Sequence, residues 1–572
     1  MKDRNIISLL ILSALNLFIM HYSLFSACNV ERQLDDLVYV DNFLIVFLEV
    51  VFLYLFFSFW GKCKLRIAAL STAMLTLFWS FCNLVYSRFF YQYLSFSAVG
   101  ESMNLLDPFV FKCIIDGLKW TDIYYVISFI VAIYLYQNVY EESSSCIAIK
   151  RATRALLVIV LLDVTFHIAY CMLSPNKRFL NYIGHRLYTE QLSSFCYSAQ
   201  PVYSNFQRGS LRVLGYQIWE SIGGNMELSD VQKKIIKKEL GILRPQQICA
   251  SSHPKVKNVI FVLVESYMSF AVDMKIGGKE VTPFLNSLKR DPNTYYNGNL
   301  IPNITLGESS DGQFIYMTGL LPLRSAITVT EAKKHSFPGL SKQLSKAFKM
   351  KTRMVIPTAP SMWNQDLMCK SYGIDKLYST SEYKKEHSVY LSDEQVFDLA
   401  DSIDNLVREP FFSMILSFSM HQPYLEAIDK TFIIEDSSYP KSMINYLNAC
   451  HYTDNQIRKY FKRLKDKGIF NNTLIVIASD HHVAENALSL PSGITRHKLP
   501  LFIINSRINQ SETWKGDCNQ LDVYTTILDV LGVDSPWRGL GHSLISTGYK
   551  NSVDASKWDY SEWIIKSGYF HY

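Results

Sequence analysis

The chain has 572 residues, 49% of them hydrophobic and 14% aromatic, with a formal net charge of +6. It is too long for one average domain. Its charge is too slight, and its motifs too few, for a nucleic-acid-binding protein. The 11 cysteines include no CxxC pair.

Residues 1–173 hold five apolar stretches, near 5–27, 40–60, 65–86, 121–140 and 153–173. Each approaches the ~20 residues that a helix needs to cross a bilayer. The first lacks a small-residue cleavage site and reads as a retained span, not a signal peptide. Lys2 and Arg4, then Lys62, Lys64 and Arg66, then Lys150, Arg151 and Arg154 lie on one side, while the first loop carries Glu31, Asp35 and Asp36. The positive-inside rule therefore predicts a cytoplasmic N-terminus and everything after Tyr170 outside. The loop near 87–120, with Phe89, Phe90, Tyr91, Tyr93 and Trp120, is expected along the membrane surface.

Residues 174–255 read as an extracytoplasmic linker with helices, including an amphipathic helix near 228–243 opened by Ser229-Asp230. Its Lys233-Lys234 and Lys237-Lys238 pairs suit a solvated face or anionic headgroups. Cys249, Cys369, Cys450 and Cys518 fall in the exported half, where disulfides are permitted and their pairing is open.

From 256 to 572 short apolar runs alternate with helical segments. Strands are expected at 258–264, 353–356, 411–418, 473–479 and 499–504. Helices are expected near 282–290, 312–320, 338–348, 393–407, 442–466 and 521–531. That alternation predicts an α/β domain with a mainly parallel sheet sandwiched by helices.

Ligands of such sheets gather beyond the carboxyl ends of the strands. Glu265 ends the first strand; Asp480, His481 and His482 follow the 473–479 strand. Two carboxylates and an imidazole make a divalent-metal site. Gly307-Glu-Ser-Ser-Asp-Gly-Gln-Phe314 reads as a turn opening a helix, with Ser310 and Gln313 forming a capping box and Ser309 left as a hydroxyl nucleophile. A helix N-terminus also favours a phosphate. His421, beyond the 411–418 strand, suits proton transfer or a purely structural hydrogen bond. Trp363-Asn364 lies in a polar loop, where Trp363 suits either core or a substrate cover.

These residues carry a resemblance. The stretch 256–545 resembles the lipoteichoic acid synthase-like phosphoglycerol transferases of the alkaline phosphatase and sulfatase superfamily. The match runs through Glu265-Ser266, Thr282-Pro-Phe-Leu285, Gly307 to Phe314, Trp363-Asn364, Tyr372-Gly-Ile-Asp375, Asp393, Met420-His421, Tyr452-Thr-Asp454, Ser479-Asp-His481, Leu499-Pro500 and Asp522 to Gly532. Five preceding spans also fit that family. The resemblance implies an alkaline phosphatase/sulfatase-like fold. It implies metal ligands at Glu265, Ser309, Asp480 and His481, with Ser309 as nucleophile, and substrate contacts at His421, Trp363 and Asn364. It implies one divalent metal, Mn²⁺ foremost, with Zn²⁺ or Mg²⁺ as alternatives. The implied activity moves a phosphoglycerol headgroup from a phospholipid donor, phosphatidylglycerol, to an exported glycan or lipid acceptor. The implied location is a bacterial cell membrane, with the catalytic domain periplasmic or extracellular. No nucleic-acid partner is expected.

Two positions depart from the family: Ser309 stands where Thr is usual, and Gln365 where an Arg phosphate clamp is usual. Ser309 is followed by Ser-Asp-Gly, not the x-Pro-x-Arg that formylglycine formation needs, which argues against sulfate-ester hydrolysis. Phosphoethanolamine transfer is the alternative activity, kept open by His482 and His497. A non-catalytic lipid- or glycan-binding descendant is the alternative from another class.

Overall fold

The computed structural model describes residues 4–27, 37–60, 64–90, 93–96, 117–138, 209–222 and 227–242, most of 256–570, and isolated positions between them. It divides into two compact units. One comprises Met1–Val99 with Phe111–Ile222, the other Gly100–Val110 with Gly223–Tyr572.

In the first unit, helices α1 (Arg4–Ala27), α2 (Leu37–Trp60) and α3 (Leu65–Phe90) are each long and apolar enough to cross a membrane. They match the first three predicted spans. The fourth prediction corresponds to α4 (Ile123–Gln137), an apolar helix of 15 residues. The fifth, 153–173, lies outside the described residues, apart from Arg154. Three spans, not five, are thus visible among the described residues. Leu17, Met20 and Leu24 of α1 pack with Val46 and Val50 of α2 and Trp79 of α3. Arg88 grips Asp122 through two bonds of 2.7 and 2.6 Å, joining the end of α3 to the turn before α4. Buried Glu49 of α2 accepts the Leu211 N–H at 2.9 Å and so caps helix α5 (Ser210–Ile222).

In the second unit, the predicted amphipathic helix is α6 (Asp230–Ile242), which opens with a capping box. Ser229 Oγ accepts the Gln232 N–H, and Gln232 Oε1 accepts the Ser229 N–H. The core of this unit is an eight-stranded sheet in the order β10-β4-β9-β8-β1-β7-β5-β6. The strands are β1 Asn258–Val264, β4 Thr294–Ile301, β5 Lys351–Val355, β6 Lys376–Tyr378, β7 Phe411–Leu416, β8 Thr473–Ser479, β9 Leu499–Ile504 and β10 Cys518–Asn519. A separate hairpin pairs β2 (Lys275–Ile276) with β3 (Lys279–Glu280).

Every residue of β1, β8 and β9 is buried, as expected of central strands covered on both faces. Strands β8, β1, β7, β5 and β6 run parallel; β9 lies antiparallel between β8 and β4. The sheet is therefore mainly parallel with one reversed strand. Val264 pairs with Ser479 and Leu263 with Leu416, so the carboxyl ends of β1, β7 and β8 stand side by side. All six predicted helices are present, as α7 (Pro283–Arg290), α8 (Ser309–Thr318), α10 (Leu340–Phe348), α12 (Asp393–Asp404), α13 (Lys441–Asp466) and α14 (Leu521–Leu531). Short helices α9 (Thr328–Ala332) and α11 (Gln365–Tyr372), and the terminal α15 (Ala555–Ser567), were not anticipated. Cys369, Cys450 and Cys518 are buried free thiols, so these three form no disulfide with one another. Cys249 lies outside the described residues.

Candidate active site

The adjacent strand ends place Glu265 beside Asp480 and His481. One ligand atom from each lies within 4.8 Å of the others, and the residues are only 6%, 3% and 7% exposed. Ser309, the first residue of α8, completes the cluster. Its Oγ lies 3.0 Å from His481 Nε2 and donates to Glu265 Oε2 at 3.3 Å. His481 Nε2 is 3.3 Å from Glu265 Oε1 and 3.7 Å from Asp480 Oδ2. Donors about 2.1 Å from one ion in a tetrahedron stand ~3.4 Å apart, so these separations fit a single divalent cation.

Electrostatics point the same way. Burial alone would raise Glu265, but its bond to His481 and the imidazole charge outweigh it and hold this carboxyl below its ordinary value. Burial and the Glu265 charge push Asp480 well up. Burial opposes an imidazolium at His481, yet Asp480 and Glu265 together hold it well above its usual range. With both carboxylates ionised and the imidazole neutral, as ligation requires, the cluster carries two negative charges that a divalent cation balances.

Neighbouring groups orient these atoms. His481 Nδ1 donates to the His482 carbonyl at 2.8 Å, leaving Nε2 as the ligating nitrogen. Asp480 Oδ1 accepts the N–H groups of Ser266 and His481, and Ser266 Oγ donates to Glu265 Oε1. Ser417 Oγ accepts the Glu265 N–H, and Gln520 Nε2 donates to the Asp480 carbonyl.

The start of α8 differs from the expected capping box. Ser310 Oγ donates back to the Gly307 carbonyl at 2.8 Å, and Gln313 is drawn to Gln365. Asp311 takes over the organising role. It accepts the Thr305 and Gly307 N–H groups and the hydroxyls of Thr305 and Thr328, at 2.7–2.9 Å. Glu308 stands at N-cap with φ 41°, and burial pushes its carboxyl up to about 7. The helix also leans closely on β8: a Cβ at Gly312 would meet the Asp480 carbonyl oxygen at 2.2 Å. Only glycine permits that approach.

His421 lies past β7, its ring stacked on Phe418 and its Nδ1 donating to the Gln422 carbonyl at 2.8 Å. The imidazole adds to the depression of Glu265. Asp393 fixes this loop by accepting the Phe418 and Ser419 N–H groups and the Thr453 hydroxyl. Trp363 and Asn364 form a left-handed turn at φ 51° and 52°. The structure joins this turn to α8 rather than to the metal-type cluster, since Gln365 and Gln313 exchange two amide bonds of 2.7 and 3.0 Å. Ser266 and Glu308, which flank Glu265 and Ser309 in sequence, have positive φ, as do Trp363, Asn364 and Tyr424. Such residues cost about 1–3 kcal/mol each and gather at functional sites. The sequence readily flags the strand-end acids. It does not flag Glu308, Asp311, Ser417 or Gln520, whose types suit any turn or surface.

The comparisons with known proteins agree with this architecture. The sulfatase family model matches residues 257–533. Lipoteichoic acid synthase 2 of Bacillus subtilis (strain 168) is 27% identical over 80% of this chain and 70% of its own length. Lipoteichoic acid synthase of Staphylococcus aureus (strain USA300) is 24% identical over 93% and 82%. Among solved structures, the integral membrane lipooligosaccharide phosphoethanolamine transferase A of Neisseria meningitidis shares the fold, with a TM-score of 0.51 at 13% identity over 94% of this chain and 97% of that one. Residues 257–533 thus form a sulfatase-family domain, and the chain, which carries apolar helices ahead of that domain in sequence, is a phosphotransferase similar to the lipoteichoic acid synthases.

Proposed function

We propose that this enzyme transfers a phosphoglycerol headgroup from phosphatidylglycerol to an exported glycan or lipid acceptor, through a covalent intermediate on Ser309. One observation carries the reading. The Ser309 hydroxyl opens a helix while sitting 3.0 Å from His481 and 3.3 Å from Glu265, in a cluster sized for a divalent ion. Glu265, Ser309, Asp480 and His481 would hold that ion, which we assign as Mn²⁺, with Zn²⁺ or Mg²⁺ as alternatives. When bound, it supplies positive charge that lowers the pKa of a hydroxyl and neutralises phosphate oxygens.

The chain's own residues perform the exchange. Ser309, its proton already lost to solvent, attacks phosphorus through the Oγ oxyanion, and the bond to the diacylglycerol oxygen breaks. His421, whose Nδ1 donates to the Gln422 carbonyl, protonates the departing oxygen through Nε2. Diacylglycerol leaves, and glycerol phosphate remains esterified to Ser309. An acceptor hydroxyl then attacks the same phosphorus, its proton passing to His421, and Ser309 leaves as the oxyanion. Trp363 and Asn364 line the headgroup side of this reaction. The relatives' names support the donor class, since two are lipoteichoic acid synthases. Our topology has five spans in 1–173, a cytoplasmic N-terminus, a linker over 174–255 and the catalytic domain of 256–572 outside.

A second reading, phosphoethanolamine transfer, draws on the Neisseria likeness and on the His482 and His497 rings, whose centroids are 5.2 Å apart. The test is mass spectrometry of full-length protein incubated with Mn²⁺ and phosphatidylglycerol or phosphatidylethanolamine, with Ser309→Ala as control. A glycerol-phosphate adduct on Ser309, absent from the variant, is expected. An ethanolamine-phosphate adduct would select the second reading. No adduct from either lipid would refute the covalent mechanism.

A further inference from the structure

The Trp363–Gln365 turn holds a cation that the sequence pattern did not single out. Lys333 follows α9, and its Nζ donates to Asn364 Oδ1 at 2.9 Å. Both partners are anchored to the helix that begins at Ser309. Thr328, the first residue of α9, donates to Asp311 Oδ1 at 2.7 Å, and Gln365 is bonded to Gln313. Gln365 itself is neutral and its amide is engaged by Gln313, so it offers no charge to a phosphate. Asn364 has its carbonyl oxygen taken by the Lys333 ammonium, while its Nδ2 is buried without a hydrogen-bond partner. Lys333 is half-buried. An unsatisfied buried donor beside an ammonium, on a strained turn, is costly unless an acceptor arrives, and an anion is the acceptor that suits both groups.

We propose that Lys333 and the Asn364 amide together bind the phosphate of the lipid donor, Lys333 providing the charge that position 365 lacks. This rests on the transferase reading above. Lys333 is a point charge on a flexible stem, so the site would favour a phosphodiester without the bidentate geometry of a guanidinium.

The test uses full-length protein in detergent with Mn²⁺, the steady-state KM for phosphatidylglycerol, and calorimetric binding of sn-glycerol 1-phosphate. Lys333→Gln is expected to raise KM and the glycerol-phosphate Kd by about 10-fold or more, the worth of one charge-assisted bond, and Lys333→Arg to recover most of it. Asn364→Asp separates binding from folding. It keeps the contact to Lys333, indeed as an ion pair, but fills the site with negative charge. Its melting temperature should match or exceed the wild type while glycerol-phosphate binding falls by a similar factor. Unchanged KM and Kd in Lys333→Gln or in Asn364→Asp, beside a wild type that turns over lipid, would overturn the inference alone. A wild type that neither turns over lipid nor binds glycerol phosphate would overturn the transferase reading and this inference together.

Discussion

Gly312 provides the most direct test of how the site is held. Alanine there would place Cβ 2.2 Å from the Asp480 carbonyl oxygen, 2.8 Å from its carbon and 2.9 Å from its Cα. Ordinary contact begins at 3.4 Å, and all three atoms are backbone, so none can rotate away. The start of α8 must therefore retreat from β8 by about 1.2 Å, the difference between 3.4 and 2.2 Å. Ser309 lies three residues earlier on the same helix and would lose its 3.0 Å approach to His481. A misplacement of ~1 Å costs about 100-fold in rate. Overpacking costs about 1–3 kcal/mol, against which the helix propensity of alanine returns ~1 kcal/mol, so the net destabilisation is at most ~2 kcal/mol. Gly312→Ala should thus lose about 100-fold in headgroup release while melting only a few degrees lower. Gly215→Ala is the control: its Cβ meets nothing within 4 Å, so activity should hold. A Gly312→Ala enzyme within threefold of wild-type activity would refute the claim that this close approach sets the nucleophile.

Chelation should abolish turnover and lower the melting temperature, because an ion present at ~100 times its Kd stabilises the folded state by ~2.7 kcal/mol. Adding back Mn²⁺, Zn²⁺ and Mg²⁺ separately, with melting and metal content measured, identifies the ion; a melting curve indifferent to chelator would count against the site. Asp393→Ala strands the Phe418 and Ser419 N–H groups and the Thr453 hydroxyl, at ~1–3 kcal/mol for an unsatisfied buried donor. It should therefore destabilise more than His421→Ala in denaturant unfolding; the reverse order would deny Asp393 its role in fixing the His421 loop. His542 is held down to about 4 by burial and then by Lys557, whose Nζ is 3.5 Å from its Nδ1. A histidine with a depressed folded pKa stabilises above its unfolded value of ~6.5 and loses that contribution as pH falls towards 4. His542→Asn should flatten the stability loss over that window, and an unchanged pH profile would contradict the assignment.

The alternation of apolar runs and helical patterns determined the layered α/β domain. The carboxylates ending β1 and β8 determined that a metal-type cluster could form. Periodicity reports such features because buried parallel strands are continuous apolar runs, and polar residues at their ends stand out. Other features depended on partners distant in sequence. The antiparallel course of β9 is invisible locally, since a buried strand reads alike in either direction. The Ser310–Gln313 capping box failed because Gln365, 52 residues away, bonds Gln313 and because Asp311 gathers the turn. At Ser229 the same kind of box formed, having no such competitor among the described residues. Gly312 was one small residue in a turn-like run until the Asp480 carbonyl was set against it. Lys333 was one of many lysines until folding brought it to Asn364. Residue chemistry was legible along the chain; which groups share a bond, and which are left wanting one, was decided only by tertiary packing.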